Sequence, residues 1–348
     1  MKIGIVTLPL HFNFGGILQA YALQETLKKL GHNPYIIKKT PQNIKDYIKR
    51  LLYNQSRVSQ FVRNNIIFDN LSEPFTMSEL TSKGYDALIV GSDQVWRPCM
   101  GIDRKANVNR YFLKTTNNGK IRKIAYAASF GVDFLDFTED EIILAQDLVK
   151  DFTAVSVREQ SGLTLCAKYL NRKDVCQVLD PTMLLGKNDY SHFILYSPFK
   201  SENKHCFVYL LDYEKTTNQE IVKTILPENS EVLRAKVERN TLKKYLSSDL
   251  TIQNWLSAIY HSDLVITDSF HGCVFSILFH KDFYVIRNDV GGNARINSLL
   301  TLLGLEDRLI EKEFIVSKIN PINWEFIEEK LQLMRKFSIK YLNKALLK

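Results

Sequence analysis

One histidine of this chain stands where a proton-transferring side chain would be well placed. The segment TDSFHG, residues 267–272, lies between the apolar runs DLVIT and CVFSILF, and this pattern predicts a strand-to-helix turn. Open α/β sheets bind ligands at the carboxyl ends of their strands, so the turn should present Ser269 and His271 to a ligand. Gly272 relaxes the turn, and the following helix N-terminus disfavours the imidazolium form, which suits His271 to act as a base. A lone histidine is more often structural, but these features together favour a catalytic role.

Two arginines have positions that suit an anionic ligand. Arg158, in SVRE, directly follows an apolar strand-like run, and its planar, permanently charged group matches a carboxylate or a phosphate. The alternative for Arg158 is a surface ion pair with a neighbouring acid. Arg295, in GGNARINSLL, falls in the first turn of a predicted helix that Asn293 is placed to cap. A cation there opposes the helix dipole, so Arg295 requires either an acidic neighbour or an anionic ligand.

A carboxylate at a further strand exit is suited to bind a sugar. In GSDQVW, Ser92 and Asp93 follow the apolar run ALIV, and Trp96 comes three residues later. A carboxylate accepts hydrogen bonds from sugar hydroxyls, and an aromatic face covers the apolar side of a sugar ring. Asp93 is equally suited to cap the next helix, so both interpretations stand.

The stretch HFNFGGILQ, residues 11–19, predicts a tight turn that leads into a helix. Gly15 and Gly16, next to Asn13, would leave backbone N–H groups open to an anion or to sugar hydroxyls. The GxGxxG pattern of dinucleotide-binding proteins is absent. A purely structural turn is about as well supported as a binding loop.

The elements that must position these residues alternate between strand and helix throughout. KIGIVTL, GILQAYALQETLKKLG and PYIIKKT form a β-α-β unit, which predicts a parallel sheet, and the alternation resumes at HCFVYLLDY after a polar segment at about 185–204. We therefore expect two Rossmann-like α/β domains, at residues 1–190 and 204–320, with the ligand site in the cleft between them. Residues 321–348 predict one amphipathic helix that packs back on the body. Its predicted stripe consists of Phe326, Ile327, Leu331, Met334 and Phe337.

Composition narrows the functional classes. The formal net charge of +8 agrees with an acidic partner, but no nucleic-acid-binding signature accompanies it. The five cysteines show no zinc spacing and suit reduced, packed thiols; a nucleophilic Cys273–His271 pair is a less favoured alternative.

No apolar run is long enough to span a bilayer, so we expect a cytoplasmic protein. The helix predicted at 42–54, with flanking lysines and an arginine, is either an ordinary surface helix, which is favoured, or a membrane-surface helix.

Seven motifs, in order, resemble the polysaccharide pyruvyl transferase family over residues 1 to about 310. They are MKIGIVTLPLHFNFGGILQAYALQ, VGSDQVW, AYAASFG, SVREQSG, LDPTMLL, TDSFHG and RINSLLTLLGL. The resemblance implies a GT-B-like fold, with two Rossmann-like domains that face each other across a cleft. It also implies transfer of pyruvate from phosphoenolpyruvate onto a sugar as a cyclic ketal, with release of phosphate and without a metal or an organic cofactor.

The resemblance also assigns residues. The family's histidine matches His271, and the arginine of its SVR motif matches Arg158. Several members have an arginine two residues before the histidine, where this chain has Ser269, and Arg295 is our candidate to supply that charge. The acceptor implied is a sugar of a surface polysaccharide or of its lipid-linked precursor, and a lipid-linked acceptor would bring the protein to the inner face of the cell membrane. The alternatives are a GT-B glycosyltransferase that uses a nucleotide sugar and a non-catalytic sugar-binding protein.

Overall fold

The computed structural model of the protein describes residues 1–38, 44–54, 56–98, 103–116, 121–211, 213–235, 250–287, 292–310 and 321–347. It divides into two compact units. Unit 1 comprises Met1–Asn54, Ser59–Leu184 and Gln332–Lys348, and unit 2 comprises Gln55–Val58 and Leu185–Leu331.

Unit 1 is built around parallel strands. Its described strands are β1 (Lys2–Val6), β2 (Asn33–Lys38), β3 (Phe68–Asn70), β4 (Phe75–Thr76), β5 (Ala87–Val90), β6 (Thr115–Thr116), β7 (Arg122–Ala128), β8 (Phe152–Val157) and β9 (Val175–Gln177). Seven of them form one parallel sheet in the order β3-β2-β1-β5-β7-β8-β9, and β4 pairs separately with β6. The segments after β1, β5, β7 and β8 therefore leave the same edge of the sheet from neighbouring positions.

Helices connect these strands, as the sequence predicts. They are α1 (Phe14–Lys29), α2 (Ile44–Asn54), α3 (Arg57–Asn65), α4 (Met77–Ser82), α5 (Arg104–Tyr111), α6 (Glu139–Val149) and α7 (Gln160–Tyr169). The central strands β1 and β5 are almost wholly buried, because strands flank them on both sides and helices pack on the sheet. Their near-continuous apolar runs follow from this burial.

Unit 2 repeats the pattern with a smaller sheet. Its described strands are β10 (His205–Tyr209), β11 (Glu231–Arg234), β12 (Leu264–Thr267), β13 (Asp282–Ile286) and β14 (Leu309–Ile310), all parallel, in the order β11-β10-β12-β13-β14. The helices that follow α7 are α8 (Lys187–Tyr190), α9 (Thr216–Ile225), α10 (Ile252–His261), α11 (Phe270–Leu278), α12 (Asn293–Leu303) and α13 (Trp324–Leu347). Two parallel α/β sheets in two units confirm the predicted fold class.

The polar segment at 185–204 belongs to unit 2 in the structure. It contains α8 and a single turn of 3-10 helix, and the side chains of Tyr190 and Phe193 are buried. Tyr190 packs edge-on against Phe275 of α11, with ring centroids 5.0 Å apart. Tyr190 and Phe193 thus attach this polar segment to the core of unit 2.

The last helix, α13, packs on the protein with a face that differs from the predicted stripe. Ile327 and Leu331 are buried as expected, but Phe326 and Phe337 are about half exposed. The buried positions further along α13 are Ser338, Leu342, Ala345 and Leu346. The predicted stripe leaves this face because its second half follows Met334 and Phe337, whereas the buried face continues through Ser338 and Leu342. Among the described residues, no helix is both long and apolar enough to cross a membrane.

Candidate functional site

Asp93 lies at the carboxyl edge of the unit 1 sheet, between two other predicted site residues. It follows β5 with a left-handed backbone (φ 77°), and it is 3% exposed. Its Oδ2 accepts a hydrogen bond from Asn13 Nδ2 (3.2 Å), and its Oδ1 lies 3.8 Å from Arg158 Nη2. The exits of β1, β5 and β8 therefore converge on one carboxylate.

Arg158 is held in a buried ion pair. Its Nη1 lies 2.5 Å from Asp180 Oδ2, and both side chains are almost fully buried. Ser92 Oγ donates to the same oxygen of Asp180 (2.9 Å), while the backbone N–H and the hydroxyl of Thr182 donate to its Oδ1 (3.0 and 2.6 Å). The ion pair considered from the sequence thus exists, but in the interior rather than on the surface. It fixes the direction of the guanidinium and compensates its charge.

Glu159 organises the neighbouring strand exit. It is fully buried, and its Oε1 accepts hydrogen bonds from Ser129 Oγ (2.9 Å), Phe130 N–H (2.8 Å) and Gly131 N–H (3.3 Å). The carboxylate therefore ties the loop after β7 to the end of β8, beside Arg158. Sequence reasoning missed Glu159 and Asp180. Each directly follows an apolar run, in SVRE and in QVLDP, and that position was the available signal.

Gly15 and Gly16 lie inside the first turn of α1, and an asparagine closes this turn. Asn13 caps α1, since its Oδ1 accepts a hydrogen bond from Gly16 N–H (3.0 Å), and the amide group of Asn13 donates to Asp93. A Cβ at Gly16 would lie 3.0 Å from Asn13 Nδ2 and 3.2 Å from Asp93 Oδ2, so a larger residue would crowd this contact. Gly15 is buried in the same first turn.

Trp96 does not serve as a platform for a sugar. It is 1% exposed, its ring stacks on Phe112 (centroids 4.9 Å apart), and its Nε1 donates to the backbone oxygen of Tyr111. The expectation that it lies beside Asp93 as a sugar-binding face is wrong, because the side chain fills the apolar core of unit 1.

In unit 2, the turn between β12 and α11 is tightly fixed. Ser269 caps α11 by accepting a hydrogen bond from Gly272 N–H (3.4 Å). Thr267 Oγ1 accepts from Ser269 N–H (3.0 Å) and donates to the backbone oxygen of Tyr209 (2.8 Å). A Cβ at Gly272 would lie 2.4 Å from Thr267 Oγ1, so glycine is required by close approach. This packing determines the position of the next side chain of interest, His271.

His271 lies in the first turn of α11 and is 6% exposed. Its ring contacts Phe270 edge-on, with centroids 5.1 Å apart. The neighbouring Cys273 is completely buried, and burial raises the pKa of its thiol well above the usual range. A Cys–His nucleophile is therefore disfavoured, since the thiol stays protonated and inaccessible near neutral pH.

Arg295 and His271 contact the same aromatic ring. The Arg295 Cζ atom lies 5.8 Å from the centre of the Phe270 ring. Arg295 is in the first turn of α12, as predicted, but the cap of this helix is Gly292, which has a left-handed backbone (φ 98°), rather than Asn293. A Cβ at Gly292 would lie 2.8 Å from Arg295 Nη2, so the missing side chain leaves room for the guanidinium. The preceding Gly291 lies outside the described residues.

The predicted site residues thus form two groups. Asn13, Gly15, Gly16, Ser92, Asp93 and Arg158 lie at the carboxyl edge of the unit 1 sheet, and Ser269, His271, Asn293 and Arg295 lie in the two strand-to-helix turns of unit 2. Within the described residues, no group of three or more metal-binding side chains comes together. Unit 1 contributes a guanidinium group together with carboxylate and amide groups, and unit 2 contributes an imidazole and a second guanidinium group.

Structural comparison identifies the fold. A protein assigned as a UDP-N-acetylglucosamine 2-epimerase from Listeria monocytogenes superposes with a TM-score of 0.52 and 10% sequence identity, over 98% of this chain and 90% of that chain. The UDP-GlcNAc 2-epimerase from Neisseria meningitidis, bound to UDP-GlcNAc, gives a TM-score of 0.50 and 11% identity, over 99% and 94%. These proteins are of the GT-B type, which confirms the predicted GT-B-like architecture.

The sequence comparisons address the family. No curated protein sequence matches the chain. The family model described as polysaccharide pyruvyl transferase matches residues 13–290, which include every candidate residue named above except Asn293 and Arg295. The chain belongs to the polysaccharide pyruvyl transferase family.

Proposed function

We propose that the protein transfers pyruvate from phosphoenolpyruvate to two hydroxyls of one sugar, which forms a cyclic ketal and releases phosphate. The observation that carries this proposal, beside family membership, is the pairing of His271 and Arg295 around Phe270. A proton carrier and a fixed cation at neighbouring strand exits suit an anionic enol donor. No metal ion and no organic cofactor takes part in the proposed reaction.

Charge supports the assignment of the donor. Phosphoenolpyruvate carries roughly three negative charges near neutral pH, and guanidinium groups bind both carboxylate and phosphate with paired hydrogen bonds. Ser269 is uncharged, and its hydroxyl caps α11. In the proposal, Arg295 therefore supplies the positive charge that several family members have at the position of Ser269. Arg158 is the second donor-binding cation in the proposal, with its direction set by Asp180.

The proposed reaction proceeds through protonation of the donor. A proton added to the methylene carbon makes it a methyl group and gives the central carbon oxocarbenium character; one sugar hydroxyl attacks there and loses its proton. The bond from the central carbon to the phosphate oxygen then breaks, and the second hydroxyl closes the ring and loses its proton. Of the two hydroxyl protons, one replaces the proton spent on the methyl group and the other leaves with phosphate. His271 carries these protons, a role that contributes about 10²–10⁴-fold in rate.

The residues around Asp93 are the proposed acceptor side. The Asp93 carboxylate would orient the attacking hydroxyls, while Asn13, Gly15, Gly16 and Ser92 shape the surrounding turn. Asn293 borders the donor side at the start of α12. The acceptor in this proposal is a sugar of a surface polysaccharide or of its lipid-linked precursor, and the protein works in the cytoplasm, at the inner face of the cell membrane.

A nucleotide-sugar transferase is the second candidate, because a structurally similar epimerase binds UDP-GlcNAc. Calorimetric titration with phosphoenolpyruvate and, separately, with UDP-GlcNAc distinguishes the two. We expect heat of binding from phosphoenolpyruvate that Arg295→Ala weakens about tenfold or more. Binding of UDP-GlcNAc alone would favour the second candidate and contradict the proposal.

Gly292→Ala should raise the KM for the donor about tenfold with a smaller change in kcat, because a Cβ would displace the Arg295 guanidinium. Gly304→Ala is the matched control, since Gly304 also has a left-handed backbone (φ 77°) but meets only Lys330 Nζ, at 3.5 Å. Both variants carry similar backbone strain. Steady-state kinetics with varied donor should show the KM effect for Gly292→Ala alone; equal KM values in the two variants would remove Arg295 from the donor site.

A further inference from the structure

Helix α2 exposes a row of large apolar side chains. Ile44, Tyr47, Ile48 and Leu51 are 79%, 56%, 50% and 48% exposed. Their spacing of three and four residues places them on one face of the helix. An apolar face of this kind normally packs on a core, so its exposure requires an explanation.

The following helix, α3, differs from α2 because its apolar face is buried. In α3, Phe61 and Val62 are 2% and 5% exposed. The two helices have similar lengths and both are amphipathic, but only α3 turns its apolar side inward. The face of α2 is therefore not part of the core of unit 1.

The end of α2 is nevertheless firmly attached to the protein. Tyr53 is 6% exposed, and its ring packs edge-on against His11 (5.0 Å between centroids) and Phe12 (5.4 Å). The backbone oxygen of Asn54 accepts hydrogen bonds from Ser59 Oγ (2.9 Å) and Arg63 Nη1 (2.7 Å), both from α3. The helix thus presents its apolar row from a fixed anchor beside the loop that leads to Asn13.

The charge of this segment indicates the partner. Residues 38–63 include seven lysines and arginines and one acidic residue, in a chain whose net charge is +8. Two such segments would repel each other, which argues against a second copy of the chain as the partner. An apolar face combined with many basic residues and low overall hydrophobicity is typical of helices that lie in the headgroup region of an anionic bilayer.

We propose that α2 docks the protein on an anionic membrane surface, with Ile44, Tyr47, Ile48 and Leu51 inserted between the lipid headgroups. This inference goes beyond pyruvyl transfer and does not depend on it. Through Tyr53, the docked helix holds the loop of His11 and Phe12 near the lipid surface. That arrangement suits an acceptor sugar attached to a lipid.

Sedimentation with vesicles tests the proposal. The full chain should bind vesicles that contain phosphatidylglycerol and should bind pure phosphatidylcholine vesicles far more weakly, because the basic segment needs anionic lipid. Ile44→Ser/Ile48→Ser/Leu51→Ser should lower the vesicle partition coefficient about tenfold or more while activity on a soluble acceptor stays unchanged. Equal partition of this variant and the parent would overturn the proposal.

A matched variant controls for the general loss of exposed apolar surface. Phe134→Ser/Ile143→Ser/Leu333→Ser removes side chains that are 58%, 64% and 68% exposed elsewhere on the chain. It should bind vesicles like the parent, and equal loss in both variants would contradict a specific role of α2. If the α2 variant instead changes the protein from dimer to monomer in analytical ultracentrifugation, the face binds a second copy and the proposal fails.

The fluorescence of a probe attached to α2 tests directly whether this helix contacts the lipid. An environment-sensitive probe on Ile48→Cys should shift to shorter wavelength when anionic vesicles are added, and the same probe on Ile143→Cys should not. No shift at residue 48, with the protein sedimenting on vesicles, would assign the membrane contact to another surface. Because vesicle sedimentation and probe fluorescence involve neither the donor nor the acceptor, failure of these two measurements leaves the proposed reaction intact, and failure of the reaction leaves both measurements intact.

Discussion

His271→Ala should lower turnover about a hundredfold or more while the protein remains folded, because the substitution removes the proposed proton carrier. The rigid turn that holds the residue consists of backbone and hydroxyl contacts of Thr267 and Ser269, none of which involves the imidazole. Turnover is measured as phosphate release at saturating donor and acceptor. Circular dichroism and the thermal midpoint establish that the fold is retained.

A second histidine provides the control. His280 lies just after the C-terminal cap of α11, stacks on Trp324, and places its Nε2 3.5 Å from Glu328 Oε2. His280→Ala removes an imidazole from the same unit without touching either strand-to-helix turn of the site, and it should leave turnover within about twofold of the parent. A His271→Ala protein that is folded and as active as the parent would show that another group transfers the proton.

Arg158→Ala should have two effects, a loss of stability and weaker donor binding. Removing the guanidinium leaves the Asp180 carboxylate buried without its ion-pair partner, which should cost about 3–5 kcal/mol in the free energy of unfolding. Loss of the second donor-binding cation should raise the donor KM about tenfold or more in the protein that remains folded. Urea unfolding measures the first effect, and steady-state kinetics at low temperature measures the second.

Asp180→Asn separates the two effects. It weakens the same buried pair, and so destabilises the protein, but it keeps the guanidinium and the hydrogen bonds that an amide oxygen can accept from Ser92 or Thr182. We expect its donor KM to stay close to that of the parent. If Arg158→Ala and Asp180→Asn lose similar stability and neither alters the donor KM, Arg158 has a structural role only.

Much of the architecture follows from local sequence pattern. Strands such as β1 and β12 are short apolar runs, and the residue types directly after them are polar, so the segments that carry Asp93, Arg158 and His271 could be predicted as strand exits. The strand order of a parallel sheet then brings the exits of β1, β5 and β8 to one edge. Asn13 is a candidate from the glycine pair beside it, and Asp93 and Arg158 are candidates because they follow apolar runs; the strand order is what brings the three together.

What the sequence could not show are contacts between side chains that are distant along the chain. The pairing of Arg158 with Asp180 depends on the positions of β8 and β9 at the edge of the sheet, and hydropathy does not contain that information. The position of Trp96, three residues after Asp93, suggests a ligand platform. Its burial depends on stacking with Phe112, which lies at the end of a helix that the sequence pattern does not predict. The requirement for Gly292 appears only once Arg295 is seen folded over it.

The exposure of the apolar face of α2 is another feature that the sequence alone could not show. Periodicity predicted an amphipathic helix correctly, but an ordinary surface helix and a membrane-surface helix share that periodicity. The difference is whether the body covers the apolar residues, and Ile44 at 79% exposure shows that it does not. Burial is a tertiary property that periodicity does not contain, and this exposure is the observation on which the docking proposal rests.

The most direct test of the central claim is to incubate the protein with phosphoenolpyruvate and an oligosaccharide acceptor in heavy water, and to analyse the product by mass spectrometry and proton NMR. The account predicts release of one phosphate per product, a sugar that gains the mass of pyruvate less water, and a ketal methyl group that contains deuterium. Transfer of the intact phosphate-bearing group to the sugar, or reaction only with a nucleotide sugar, would contradict it.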